Sequence, residues 1–226
     1  MKTTIYIDGY NLYYGALKGS SYKWLDIFRI FSHIANDNNP RTENVFIKFF
    51  TSPVISRLAT HGDQSQKSQN DYHRALLRLY PDNLEIIMGY FSLSEGWFPK
   101  HQKPIDRNDT VKAWKLEEKK TDVNIALHIY RDLLKGNCEQ AILVSNDSDL
   151  VPALEAVQED LTDKYIGVVM PRIQKEGDQK NRPYNVKLSN LANWTRGYIR
   201  EEELKMFQLP RLVPTKRKPI IRPDYW

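Results

Sequence analysis

Between Thr3 and Met170, short runs of β-branched and aromatic residues alternate with stretches of helical period, and no other feature of the chain restricts its fold as much. The strand-like runs are 3–8, 45–50, 84–91, 141–145 and 165–170. Between them lie helical stretches: 25–35 (Leu25, Phe28, Phe31, Ile34 and Ala35 in phase), one ending over 71–80 (Ala75, Leu76, Leu79), 121–134 and 150–157. In the third of these, Val123, Leu127, Tyr130 and Leu134 fall on one side. Such alternation builds right-handed βαβ units, hence a mostly parallel, Rossmann-like sheet of about five strands inside a three-layer α/β sandwich.

The 226 residues suit one domain over 1–207 with a tail over 208–226. With 41% hydrophobic and 27% charged residues, disordered and collagen-like chains are excluded. No apolar run approaches the roughly 18 residues of a membrane span, and the N-terminus enters a strand without a signal-peptide profile, so a cytoplasmic protein without a membrane partner is expected. The single cysteine, Cys138, excludes an internal disulfide framework, and the five histidines lack zinc spacing. The net charge of +5 is concentrated in the tail: Arg211, Lys216, Arg217, Lys218 and Arg222 against Asp224 leave +1 for the body. Four prolines (Pro210, Pro214, Pro219, Pro223) bar a helix there, so the tail should be extended or disordered, capturing RNA or a protein partner, unless its aromatic end docks on the body.

In doubly wound sheets ligands bind beyond the carboxyl ends of the strands, where strand order reverses, between strands one and four in the commonest order. Strand one ends in Asp8-Gly9-Tyr10-Asn11, and strand four in Ser145-Asn146-Asp147-Ser148-Asp149. Asp122, at the N-terminal end of the third helix, opens on the same edge, so four carboxylates converge: Asp8, Asp122, Asp147 and Asp149. Two such charges about 5 Å apart at an effective dielectric near 20 repel by roughly 3 kcal/mol. A proton or a hard divalent ion must compensate, and an oxygen-only donor set selects Mg²⁺ or Mn²⁺. Metal-assisted hydrolysis of phosphodiesters uses this arrangement.

Each residue also has a plainer role. Asp8 suits an Asp-Gly turn, Ser148 or Asp149 could cap the helix that follows, and Asp122 favours a helix dipole in any protein. None of these explains Asp147, nor why two separate segments end in acid at one edge.

The strings Ile-Tyr-Ile-Asp8-Gly-Tyr-Asn11-Leu, Glu-Lys-Lys-Thr-Asp122-Val and Leu-Val-Ser145-Asn-Asp147-Ser-Asp149-Leu-Val-Pro152, in that order, resemble the signature blocks of NYN domains, within the PIN-like nuclease superfamily. The resemblance spans roughly residues 3–170. It implies a metal-dependent ribonuclease whose metal ligands are Asp8, Asp122, Asp147 and Asp149, with Asn11 and Ser145 as polar supports. Family members often have Gly where Asn146 stands, which asks this turn to accept Asn in a left-handed conformation. Many also have Ala-Asp near the last helix where this chain has Ala192-Asn193, so Asn193 is left out of the site.

Over 100–120, seven basic residues, among them Lys112, Lys115, Lys119 and Lys120, stand against four acids, with Trp97, Phe98 and Trp114 interleaved. As a loop this segment could bind single-stranded RNA by phosphate contact and stacking, or the aromatics could anchor it to the body. Lys119 or Lys120 could neutralise charge at the scissile phosphate, although a solvated helix face is the plainer role. Tyr10, Tyr13 and Tyr14 face substrate or pack. A second basic segment, 172–187 (Arg172, Lys175, Lys180, Arg182, Lys187 against Glu176 and Asp178), reads as an ordinary surface loop. Two alternatives stand beside the nuclease: a Toprim-like phosphoryl-transfer enzyme, which wants Glu where Asp8 stands, and an inactive RNA-binding or scaffold protein. A nucleotide-binding fold lacks its G-x-G-x-x-G or P-loop.

Overall fold

The computed structural model describes residues 1–173 and 184–226. Six parallel strands among them form one sheet: β1 (Lys2–Asp8), β2 (Glu43–Thr51), β3 (Leu84–Met88), β6 (Gln140–Val144), β7 (Tyr165–Val169) and β8 (Trp194–Arg196). Their order is β3-β2-β1-β6-β7-β8, so chain direction across the sheet reverses between β1 and β6, as expected from the alternation. The sixth strand, only three residues long, offers too little pattern to be seen in sequence.

Side chains alternate across β1. Ile5 and Ile7 enter a core shared with α2 (Ile27–Asn38) and α3 (Asp63–Leu79), where Ile30, Phe31, Ile34, Ala75 and Leu76 are buried. Tyr6 enters the opposite core, against α4 (Thr121–Leu134) and α5 (Val151–Asp160), with Ile125, Ile129, Leu133 and Leu154. The period of two therefore carries Asp8 to the α4 side as well. The stripe of Val123, Leu127 and Leu134 faces solvent instead of the core. Helix α4 carries two apolar stripes, and the one through Ile125, Ile129 and Leu133 fills the space above the sheet.

The stretch 92–120, expected to be mostly loop, is largely an antiparallel hairpin, β4 (Tyr90–Pro99) with β5 (Thr110–Lys119), which leaves the main sheet altogether; the strand expected over 84–91 ends at Met88, and Tyr90 and Phe91 belong to the hairpin. Its strands escape notice in sequence because both faces are polar or half-exposed, so no hydrophobic alternation marks them.

Residues 208–226 are extended and docked. Leu209, Val213 and Ile220 are buried in the α2–α3 core, and β9 (Leu212–Val213) pairs antiparallel with β10 (Ile220–Ile221). Trp24 Nε1 donates to Pro210 O at 2.9 Å, and the Trp226 ring lies 6.0 Å from that of Trp24 and 5.7 Å from that of Tyr72. The prolines bar a helix, as expected, but leave a two-residue ladder and an apolar anchor. The short helices α6 (Val186–Asn190) and α7 (Glu201–Met206) complete the chain around β8. Of the second basic segment, Lys175, Glu176, Asp178, Lys180 and Arg182 lie outside the described residues.

Candidate metal centre

The turn after β1 is held by Asp8 itself. Its Oδ1 accepts from the backbone N–H of Tyr10 at 3.1 Å and of Asn11 at 2.9 Å, capping the short helix α1 (Gly9–Leu12). Oδ2 accepts from Asn11 Nδ2 at 2.7 Å and from Ser145 Oγ at 2.9 Å. Asn11 and Ser145 thus both hold the Asp8 carboxylate in place. Gly9 is needed here, since a Cβ would lie 2.6 Å from Phe50 O on β2. A π-helical turn, Tyr13–Leu17, follows α1 and presents Tyr13 and Tyr14 to solvent.

Ser145 also accepts, at 3.1 Å, from the Asp147 backbone N–H, tying the ends of β1 and β6 together. Asp147 Oδ1 in turn accepts from the Asp149 N–H at 3.0 Å, so Asp147, rather than Ser148 or Asp149, caps the turn leading into α5. One residue combines the plain role with the site role. Asn146 takes no left-handed conformation; its Oδ1 accepts from the Asn185 N–H at 3.0 Å. The concern about glycine at that position is thereby removed.

One carboxylate oxygen from each of Asp8, Asp122 and Asp147 lies within 4.8 Å of the others. Asp149 is exposed and outside this trio, near enough only to act on Asp122 through its charge. Burial pushes the Asp8 carboxyl up despite its four donors. Asp122 is pushed up to about 6, by burial first and then by Asp8, Asp147, Glu118 and Asp149. Glu118 is a residue the sequence reading passed over. At the end of β5, its Oε1 accepts from Thr121 Oγ1 at 2.7 Å beside the N-terminus of α4, and its charge is felt by both Asp8 and Asp122. Its position three residues before Thr121 was the available signal.

Three carboxylates this close, in an oxygen-only set, fit a hard divalent ion. An open cleft of about 640 Å³ adjoins the trio at Asp147 alone, lined besides by Tyr10, Asn11, Tyr14, Tyr184 and Asn185 among others. Of these, Tyr184 and Asn185 carried no sequence signal. Asn193 lies away from the cleft, pairing its side chain and its N–H with the backbone of Ile166, near the start of β7. A second group of potential ligands, His33, Asp37 and Glu203, is occupied by Arg196, which bridges Glu203 at 2.8 Å and Asp37 at 3.8 Å.

Lys119 pairs with Glu117 at 3.2 Å, and the Lys120 ammonium lies 5.2 Å from the Tyr90 ring centroid. Lys112 pairs with Glu95, and Lys115 with Glu117 at 2.7 Å. Trp97 and Trp114 are 69% and 63% exposed, so they do not anchor the hairpin. The register places Trp97 opposite Lys112, and Trp114 opposite Glu95. Directly paired residues share a face, as do residues two apart, so Phe91, Trp97, Lys112, Trp114, Leu116 and Glu118 lie on one side and Lys115 on the other. The Phe91 ring is 5.4 Å from that of Tyr10, and Glu118 at the end of this face is the residue whose charge reaches Asp8 and Asp122.

A parallel three-layer α/β sandwich with an acidic cluster at its switch point defines a nuclease-like fold of the PIN-like class. The NYN domain model matches residues 2–177, and the chain belongs to that family. It is 39% identical to the 6-hydroxy-3-succinoylpyridine 3-monooxygenase HspA of Pseudomonas putida, over all of this chain and 75% of that one. Its fold is similar to the crystal structure of a Vibrio parahaemolyticus protein of unknown function, at a TM-score of 0.51 and 17% identity over 92% of this chain and 95% of that one. Among the described residues no helix is long and apolar enough to cross a membrane.

Proposed function

We propose that this protein is an endoribonuclease that hydrolyses RNA phosphodiester bonds with Mg²⁺ or Mn²⁺ held by Asp8, Asp122 and Asp147. The observation that carries the reading is the approach of those three carboxylates to within 4.8 Å at the switch point of the sheet. A hard divalent ion bound there supplies stabilisation of phosphate charge and acidifies the attacking water. Asp8, fixed by four donors, sets the position of the site. Asp147 is oriented by the Asp149 amide, and Asp122 closes the set from α4. Asp149 is exposed and outside the trio, and its charge, felt at Asp122, adds to the attraction for a cation. The hairpin face with Trp97, Lys112 and Trp114 would carry the strand toward the cleft by stacking and phosphate contact. The test is cleavage of structured and unstructured RNA and DNA with Mg²⁺, Mn²⁺ or EDTA. Turnover should require metal and vanish in Asp147→Asn; equal turnover in EDTA overturns the reading.

A second reading is hydroxylation of a pyridine ring, favoured by 39% identity, across the whole chain, to a protein named for that activity. Such a reaction puts one oxygen of O₂ into the ring and reduces the other to water with two electrons from a separate reductant. Oxygen uptake that depends on both a hydroxypyridine and a nicotinamide reductant would support it, and its absence alongside metal-dependent RNA cleavage would remove it.

A further inference from the structure

The end of the sheet opposite the trio carries charge of the other sign. Strands β2 and β3 are parallel neighbours, so α3, which joins them, starts at their carboxyl ends, where the trio lies, and finishes at their amino ends. The docked C-terminal segment runs back along it. Pro214 O accepts from Arg78 Nε at 3.4 Å in the last turn of α3, whereas the Tyr225 hydroxyl meets Ser68 Oγ at 2.6 Å and donates to Gln64 O at 2.9 Å near the first turns. The turn 214–219 between β9 and β10 is therefore set back from the trio's end of the sheet by roughly 20 Å of helix.

That turn is pinned, and its only charges are positive. Thr215 Oγ1 accepts from the Arg217 N–H at 3.2 Å and donates to Lys218 O at 2.8 Å, while Val213 and Ile220 pair across the ladder with both side chains buried. Lys216, Arg217 and Lys218 are exposed, and none of their side chains has an ion pair or hydrogen bond among the described residues. The lysines of the β4–β5 hairpin differ, since Lys112, Lys115 and Lys119 each sit against a carboxylate. Arg78, also exposed, stands beside the turn as a fourth cation. Like charges held together by a fixed backbone repel one another until an anion meets them.

We propose that this turn is a second phosphate-binding site for RNA, remote from the trio, so that a strand long enough to span both is held at two points. The choice of RNA as the polyanion rests on the ribonuclease reading, whereas binding at the turn needs neither the trio nor a metal. The turn holds no aromatic ring on which a base could stack, so it grips phosphates without regard to sequence. Leu212 and Ile221, an exposed cross-strand pair beside it, are two aliphatic side chains only, too little apolar area to hold a membrane surface. Roughly 20 Å corresponds to about six nucleotides at the spacing of about 3.4 Å along a stacked strand, so the second contact is open only to longer RNA. Once one point is held, the other forms within the same complex, and the two weak contacts reinforce each other.

The experiment is fluorescence anisotropy of the full chain in EDTA with labelled oligouridylates of 6 and 24 nucleotides over a range of salt. The longer strand should bind at least tenfold more tightly than the shorter. Lys216→Ala combined with Arg217→Ala and Lys218→Ala should remove most of that advantage and shallow the salt slope of the longer strand by about two, near 0.7 for each of three phosphates. This triple variant should melt within about 2 °C of the parent, because the three side chains hold no other group among the described residues. Lys216→Arg with Lys218→Arg keeps the charge and should keep the affinity. A triple variant with the parent's affinity and slope overturns the proposal, and so does a loss that the charge-keeping variant shares. An oligoglutamate peptide bound by the parent and released by the triple variant, with RNA binding unchanged, assigns the turn to an acidic protein and overturns it as well. The two readings fail separately. A parent that cuts no RNA yet holds the longer strand through the turn removes the nuclease reading alone; metal-dependent cleavage with RNA binding indifferent to the turn removes this one alone.

Discussion

The Ser145 hydroxyl donates to Asp8 Oδ2 at 2.9 Å across two neighbouring parallel strands that lie 137 residues apart in the chain. With the Asn11 amide on the same oxygen and two backbone N–H groups on the other, Asp8 is held by four donors and buried. Its position is fixed before any ligand arrives. Asp147, only half-buried, accepts a single backbone donor. The two carboxylates therefore respond differently to the same substitution.

Asn in place of Asp8 would set an amide N–H₂ against existing donors. Asp8→Asn should lose cleavage and also about 1–3 kcal/mol of stability. Asp147→Asn keeps an acceptor for the Asp149 N–H and should lose at least 100-fold in metal-dependent cleavage while melting within about 2 °C of the parent. Paired melts and cleavage assays check both; near-parental activity in either removes that residue from the site.

Asp122 ionises near pH 6 in the fold and near 3.8 when unfolded. Between those values the unfolded chain has released the proton and the folded chain still holds it, so rising pH costs the metal-free fold stability. After allowance for solvent screening of this half-buried group, the loss is on the order of 1 kcal/mol, or about 2–3 °C. In EDTA, Asp122→Asn should therefore gain on the parent in melting temperature between pH 4 and 7. Added Mn²⁺ should reverse the ranking, raising the parent's melting temperature more at pH 7 than at pH 5. A pH-independent difference between the two proteins would show Asp122 to be an ordinary helix-end acid.

The hairpin's two faces predict unequal roles for its lysines. Trp97→Ala with Trp114→Ala should melt like the parent, because both rings are exposed, yet bind single-stranded RNA about tenfold or more weakly. Lys112→Ala should shallow the salt dependence of binding by about one phosphate contact, while Lys115→Ala, on the opposite face, should leave it unchanged. Equal slopes for all three proteins would assign the hairpin to something other than RNA.

Sequence pattern exposes what is periodic. The alternation from Thr3 to Met170 carries five of the six sheet strands, and the switch-point rule brings Asp8, Asp122 and Asp147 together because it needs only strand ends and strand order. It cannot resolve side chains within the cluster, so Asp149, two residues along from Asp147, is grouped with the ligands although it lies outside the trio. Glu118, Tyr184 and Asn185 come from segments whose path no period dictates. The hairpin is hidden for a related reason: a ribbon with no buried face has no alternation to read.

The docked segment yields the last prediction. Residues 208–226 hold most of the net charge, which suggests a mobile arm, but Val213 and Ile220 pair across β9 and β10 with both side chains buried against α3 and its neighbours. Leu209 is buried too, and its N–H donates to Trp24 O at 2.9 Å, while the Tyr225 hydroxyl meets Ser68 Oγ at 2.6 Å. Burying each aliphatic side chain contributes roughly 1.5–3 kcal/mol, so three of them outweigh what a segment of this length loses in order only with the help of these bonds and the Trp226 rings. Truncation after Phe207 strips the α2–α3 core of that cover and should lower the melting temperature by about 10 °C or more, or abolish soluble expression. Val213→Ala isolates the packing with the charge intact and should cost about 1–3 kcal/mol, read by denaturant unfolding. If the truncated chain melts like the parent, the segment contributes no stability. If it then also binds RNA as before, the positive charge it carries has no part in capture.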